Sequence, residues 1–401
     1  MQNHQRILLD ILASALFRRP MTPPDVVDWG AVMREAQAQA VLPLVVSTAK
    51  GWLPPELRKK WEFIRMQAYI KNMEVIAAHG DIHQRMMKYG IPYVILKGCA
   101  SARYYPHPDL RTMGDVDFLV EKSDLEHCEQ QLLNDGMKRV DDGQHGYHRR
   151  YLYQEMPYEL HWEAPMIPRI GGDQIRIALA DIIRTACTVR DGAWEYCVPD
   201  DFHHGMVLLL HTAGHMTAEG IGLRHLCDWA VYIDSMTDAF VLGELAPRLR
   251  DCGLWEFARV LTAISSRFLG AKERTWATGS NTELLDKLMD DILAGGNFGL
   301  KEKHRQKYAS LTRNAETRQM SDRSVASSFA AALDHSAAWW FPGLHKRALT
   351  RPLAWVLVSG RHLYLVAKGK RIPVRLWKDG KIMRTRKELF RQLRLFEKES
   401  E

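Results

Sequence analysis

The chain has 401 residues, 46% of them hydrophobic and 26% charged, which supports two or three packed domains and excludes a disordered polypeptide. Its net charge of +7 is concentrated: residues 342–401 hold 16 Lys and Arg against 5 Asp and Glu, so the rest is mildly acidic. Six scattered cysteines with no CxxC pair indicate neither a zinc ribbon nor a disulfide scaffold, which makes a reducing cytoplasm the expected location, and the lack of any apolar run near ~18 residues or of a small-residue cleavage site predicts no transmembrane segment and no signal peptide.

Residues 5–88 read as helices, with apolar positions recurring at three and four in HQRILLDILASALF, in WGAVMREAQAQAVLPLVVSTAKGW and in a long segment that stops at Gly90. The period then changes. YVILKG is a short apolar strand, GCASARYY a single helical turn, DVDFLV a second strand, and SDLEHCEQQLLNDG a helix with a Ser cap and a terminal Gly. MKRVDD, YHRRYLYQ and YELHWEA read as three further strands joined by DDGQHG and EMP. From Pro168 to about residue 335 helices dominate, interrupted by an extended pair in ACTVRDGAWEYCVP. The polar stretch 313–328 reads as a linker, and RPLAWVLVSGRHLYLVAKGKRIPVRLW as a helix on the core in preference to an interfacial segment.

The predicted architecture is α+β: a small mixed sheet at 91–165, embedded between an N-terminal helical region (1–90) and a helical domain (166–335), with a basic tail at 336–401. The tail's charge suits nucleic acid, an anionic surface or an acidic partner, and a solvated helix and loop is favoured over all of these.

The chemistry concentrates in GDVDFLV. On a strand Asp115 and Asp117 share one face, while Val116, Phe118 and Val120 share the other. Two carboxylates that close repel unless a cation sits between them, and Mg²⁺ takes oxygen ligands and bridges carboxylates to substrate phosphates. Glu159 in YELHWEA alternates with apolar neighbours in the same way and is the candidate third acid. Lys97 and Arg111 are the cations nearest in sequence; Arg111 either meets phosphate or orders its loop by pairing with Asp115 or Asp109. His161 shares a strand face with Glu159, as a contact to metal or substrate or as an ordinary bonded histidine.

Taken together, YVILKG, Arg111 with GDVDFLV, and YELHW resemble the nucleotidyltransferase superfamily typified by DNA polymerase beta, and more narrowly a bacterial family of uncharacterised nucleotidyltransferases. The likeness runs over residues 1–300, including LLHTAGHM, GLRHLCDWA and AGGNFG. It implies Mg²⁺ (or Mn²⁺) held by Asp115, Asp117 and Glu159, and an NTP such as ATP as substrate. It also implies nucleotide binding through Lys97, Gly98, Cys99, Arg111 and His161, with Gly98 and Cys99 opening a short helix toward the triphosphate. His211, Arg224 and Asp228 would line an acceptor pocket, or form an interdomain network. The implied reaction is transfer of a nucleoside monophosphate to an acceptor such as a small molecule, a protein side chain or an RNA end, with release of pyrophosphate. The turn is Gly98-Cys99 where the superfamily usually has Gly-Ser or Gly-Gly, which keeps open a nucleotide-binding or scaffold protein without turnover.

Other patterns carry less. His211 and His215 have the spacing of a zinc-binding helix, but Thr212 stands where a metalloprotease has Glu and no third ligand is evident, so zinc is not assigned. GGNFG at 295–299 is neither a P-loop nor a dinucleotide fingerprint. A nucleic-acid binder acting through the tail lacks the interleaved aromatics of an RNA module.

Overall fold

A computed structural model of the protein describes residues 1–140, 146–168, 172–279, 281–302, 305, 333–334, 336–338, 340–346, 349–368 and 385–397. The expected linker at 313–328 and most of the expected DDGQHG turn lie outside these residues. The fold is α+β, with a five-stranded mixed sheet flanked by helices.

Four helices precede the sheet: α1 (Asn3–Phe17), α2 (Trp29–Ala38), α3 (Leu42–Ala49) and α4 (Pro55–Tyr89). Asp28 caps α2 by accepting the Ala31 N–H at 2.8 Å. The 35-residue α4 ends where Gly90 turns left-handed. The sheet comprises β1 (Tyr93–Ile95), β2 (Val116–Val120), β3 (Lys138–Arg139), β4 (His148–Tyr153) and β5 (Met156–His161), with α5 (Cys99–Ala102) after β1 and α6 (Leu125–Asn134) after β2. Spatial order is β1-β2-β5-β4-β3, antiparallel throughout except for the central β2–β5 pair, which is parallel. That one parallel pair decides the site, because it sets Asp117 beside Glu159 in register.

Alternation along the strands sorts the side chains into two cores. Val116, Phe118, Val120 and Leu160 pack with Val75, Ile82 and Met86 of α4 and with Cys128 and Leu132 of α6. The opposite face, through Val94, Leu96 and Leu119, meets a larger helical core. That core is built by α8 (Asp201–Thr217), α9 (Leu223–Ser235), α12 (Trp255–Leu269) and α13 (Thr282–Gly295) together with α1 to α3. Before these come α7 (Asp173–Ala178) and the hairpin β6 (Cys187–Asp191) and β7 (Trp194–Val198); α10 (Asp238–Phe240) and α11 (Ala246–Asp251) lie between α9 and α12. Asp200 starts α8 by accepting the His203 N–H at 2.8 Å.

Beyond the sheet and its helices lie α14 (Pro342–His345) and α15 (Arg351–Ala367). The expectation that the segment from Arg351 lies on the core fails for α15, in which only Ala354 is buried. Its most exposed positions are apolar ones, so burial is not what its composition serves here. The chain returns to the core further on: Leu389, Phe390 and Leu393 join the helical core, and Arg386 donates to the Ala218 and Met216 carbonyls at 2.9 and 2.7 Å.

Candidate active site

A cleft of about 240 Å³ opens between the face of the sheet that carries Asp117 and the helices α8 and α9. Lys97, Asp115, Asp117 and Glu159 form its sheet side, and His211, Arg224 and His225 its helical side.

The carboxylates meet as the alternation of the strands requires. Asp117 and Glu159 are register partners on β2 and β5, and ligand atoms of Asp117, Glu159 and His161 all lie within 4.8 Å of one another. Asp117 is 2% exposed and doubly engaged: Lys97 Nζ lies 2.9 Å from Oδ2 and His161 Nε2 3.2 Å from Oδ1. Burial opposes its charge, but Lys97 and His161 outweigh burial and hold its carboxyl far below the usual range. His161 Nε2 also lies 3.5 Å from Glu159 Oε2. It sits beneath the two acids, 1% exposed. Burial pulls its pKa down, yet hydrogen bonds to both acids leave it raised.

Asp115 is different. It precedes β2, has no hydrogen bond or ion pair among the described residues, and is pushed up to about 6 by the Asp117 charge and by burial. A carboxylate in that position gains most from an added cation. The set with ligand atoms in reach of one another is Asp117, Glu159 and His161; its two carboxylates, with the Asp115 carboxyl beside them, are oxygen donors of the kind a hard divalent ion takes. The nearby cations already spend charge on the same acids. Burial opposes the charge of Lys97, but Asp117 and Asp115 together raise its pKa; Arg150 Nε lies 3.5 Å from Glu159 Oε1.

The turn after β1 is dictated by space. Gly98 has φ +58°, and a Cβ there would sit 2.4 Å from His79 Nε2. His79 is buried on α4, its Nδ1 donating to the Val75 carbonyl at 2.7 Å, and burial lowers its pKa to about 4. The Ala100, Ser101 and Ala102 N–H groups turn back onto Lys97 and Gly98 carbonyls, leaving the Gly98 and Cys99 amides outside the ladder of the turn. The Cys99 side chain does not face the cleft. It belongs to the core under the sheet, where burial pushes its thiol up to about 12.

Arg111 pairs with neither Asp115 nor Asp109. Its guanidinium forks onto Asp228 of α9 at 2.7 and 2.8 Å, and Tyr105 donates to the same carboxylate at 2.6 Å. Arg111 and Asp228 therefore border the cleft as a closed clamp between the sheet module and α9. Arg224 makes no ion pair among the described residues. It donates to the Thr112 carbonyl at 3.5 Å and lies over the Phe298 ring at 5.2 Å; burial, and then the Arg111 charge, lower its pKa. Among the described Lys and Arg residues lining the cleft, it is the one without an acid partner. Phe298, at φ +53°, is a bulky residue in the left-handed region, a strain found where a site over-determines the backbone. It packs on the rings of His215 and His225 at 4.7 and 5.1 Å.

The third histidine missing from the sequence argument is His225. His211, His215 and His225 offer nitrogens within 4.8 Å of one another, with His211 Nε2 and His215 Nε2 3.0 Å apart and Lys97 Nζ 3.3 Å from His211 Nε2. Burial holds all three rings below their ordinary range. The Gly222 N–H points at His225 Nδ1 at 3.3 Å, which places the proton of a neutral His225 on Nε2, an N–H with no acceptor among the described residues. The trio is thus a wall of neutral imidazoles. Only the position of His225 next to Arg224 in GLRHLCDWA hinted at it, as only AGGNFG hinted at Phe298.

No curated protein sequence matches the chain. Residues 25–270, a span that takes in the whole sheet and both α8 and α9, match the model of a family described as uncharacterised nucleotidyltransferase, and the chain belongs to that family.

Proposed function

We propose that the cleft transfers a nucleoside monophosphate from an NTP to an acceptor hydroxyl or similar nucleophile, releasing pyrophosphate, in the manner of polymerase beta-like enzymes. The observation that carries this reading is the parallel register of Asp117 and Glu159 beside an unpaired Asp115, facing the unpaired Arg224 across one cleft.

Asp115, Asp117 and Glu159 would hold Mg²⁺, which when bound supplies charge stabilisation at the reacting phosphate and lowers the pKa of a coordinated hydroxyl. The chain's own groups do the rest. Arg224 and Lys97 supply positive charge on opposite sides of the cleft for the triphosphate, and the Gly98 and Cys99 amides lie where backbone can approach it closely. Glu159, more accessible than the buried Asp117, takes the proton of the attacking hydroxyl. The acceptor oxygen forms a bond to the α-phosphorus, the bond to the bridging oxygen breaks, and pyrophosphate leaves with that electron pair. Arg111 and Asp228 act by fixing the cleft's shape, and the histidine wall faces the incoming groups with neutral N–H and N atoms.

A second reading, a nucleotide-binding protein without turnover, draws on the Lys97–Asp117 contact at 2.9 Å, which satisfies an acid that catalysis needs for a cation. Calorimetry with ATP, GTP, CTP and UTP, with and without Mg²⁺, separates both readings from a protein that binds no nucleotide. Metal-dependent affinity that disappears in Asp115→Asn/Asp117→Asn supports either; pyrophosphate release in the parent protein, absent from that variant, supports transfer. Nucleotide affinity indifferent to both Mg²⁺ and the two substitutions would sink the proposal.

A further inference from the structure

The apolar stripe on α15 points away from the protein. Leu353, Val356, Leu357, Leu363 and Tyr364 are between 40% and 67% exposed, and with Gly360 and Ala367 they recur at three and four along the helix, so they form one continuous face. The other face holds the helix in place. Trp355 Nε1 donates to Asp334 at 3.2 Å, Arg361 lies 3.6 Å over the Trp340 ring, and Ala354 is buried. An amphipathic helix on a water-soluble core presents the reverse: apolar side in, polar side out. Seventeen residues make a stripe about 25 Å long, larger than the scattered exposed apolar residues every protein carries.

What covers it is indicated by charge. From residue 335 to residue 378 the sequence has nine Lys and Arg and not one Asp or Glu. Among these, Lys346, Arg351 and Lys368 are exposed around α15. No basic residue lies within the stripe itself, as would be needed to follow a nucleic-acid backbone, and Asp334 beside the helix is already engaged by Trp355, His345 and Arg351, which leaves little acid to balance the same basic surface in a second copy. No helix among the described residues is long and apolar enough to cross a membrane. An apolar stripe that includes Tyr364, with basic residues around it, is the pattern of a helix that lies in the plane of an anionic bilayer.

We propose that α15 docks this protein on the surface of an anionic phospholipid membrane, with Leu353, Val356, Leu357, Leu363 and Tyr364 in the acyl boundary and the surrounding Lys and Arg on the headgroups. The inference is independent of the chemistry in the cleft. It is tested with the full chain by flotation against vesicles of phosphatidylcholine alone and of phosphatidylcholine mixed with phosphatidylglycerol. The expected result is binding to the mixed vesicles, little to the neutral ones, and partial weakening by salt, because headgroup attraction is screened while apolar insertion is not. Val356→Asp/Leu363→Asp, which alters exposed positions only, should weaken vesicle binding roughly tenfold or more with the circular dichroism spectrum and melting temperature of the parent. Equal binding by parent and variant, or no preference for anionic vesicles, overturns the proposal. So does a parent that sediments as a dimer, ignores vesicles, and becomes a monomer on the double substitution, since a second copy then covers the stripe.

Discussion

Lys97 Nζ lies 2.9 Å from Asp117 Oδ2 and 3.3 Å from His211 Nε2, so one ammonium ties the acid pair of the sheet to the histidine wall of the helices. A divalent ion on Asp117 and the Lys97 ammonium want the same oxygen. In the proposed nucleotide-bound state the lysine would move onto phosphate.

Lys97→Met therefore should act in opposite directions on two ligands. Without nucleotide, Mg²⁺ or Mn²⁺ should bind about tenfold tighter, since a charge-assisted bond worth on the order of 1.5–3 kcal/mol no longer competes. Nucleotide affinity should fall by about tenfold or more. Titration calorimetry with Mn²⁺ alone and then with NTP measures both. A variant that weakens Mn²⁺ binding would show that Lys97 organises the acids instead of competing for them.

Gly98→Ala should destabilise the fold by about 2–4 kcal/mol. A backbone at φ +58°, ψ −116° costs a Cβ-bearing residue on the order of 1–3 kcal/mol, and a methyl 2.4 Å from His79 Nε2 adds an overpacking cost of similar size. Urea unfolding of the parent, of Gly98→Ala and of Gly98→Ala/His79→Ala resolves the two: the double variant should recover the steric share and keep the backbone share. A cost below 0.5 kcal/mol in the single variant would refute the crowding argument.

The site was legible in the sequence to the extent that it is local. Period-two alternation places Asp115 and Asp117 on one face and Phe118 in the core, and the helix stop at Gly90 and the short turn after Gly98 are written in residue type. What the sequence does not carry is pairing across distance. Glu159 becomes a neighbour of Asp117 because β5 lies parallel to β2 with β1 on the other side, a choice made by the sheet as a whole. Arg111 finds Asp228 across 117 positions, past two nearer acids, because α9 brings a buried carboxylate with a Tyr105 hydroxyl already on it. His225 joins His211 and His215 for the same reason. The outward stripe of α15 reads as core by composition, and only the placement of its Trp355 and Arg361 side reveals which face is held.

The clamp makes a quantitative demand. Removing one partner of a buried ion pair leaves the other charge uncompensated, so Asp228→Asn should cost about 3–5 kcal/mol, and Arg111→Met a comparable amount. The two losses should not add, because the double variant buries no lone charge; a coupling of about 2 kcal/mol or more in a double-mutant cycle from urea unfolding is expected. Strict additivity would mean that Arg111 and Asp228 stabilise the protein through separate contacts.

His79 gives the fold a dependence on pH whose sign is fixed by burial. Its ring titrates near 4 in the folded chain against 6.5 in the unfolded one, so below 6.5 the unfolded state binds the extra proton. The neutral ring's contribution is fully present above pH 6.5 and is lost as pH falls from there to about 4, by an amount on the order of 3 kcal/mol. His79→Leu removes this titration, so its unfolding free energy should fall less steeply over that interval, whatever its stability at neutral pH. Urea unfolding at several pH values between 4 and 7 gives both slopes, and parallel curves for parent and variant would show that His79 is not the group that acid attacks behind Gly98.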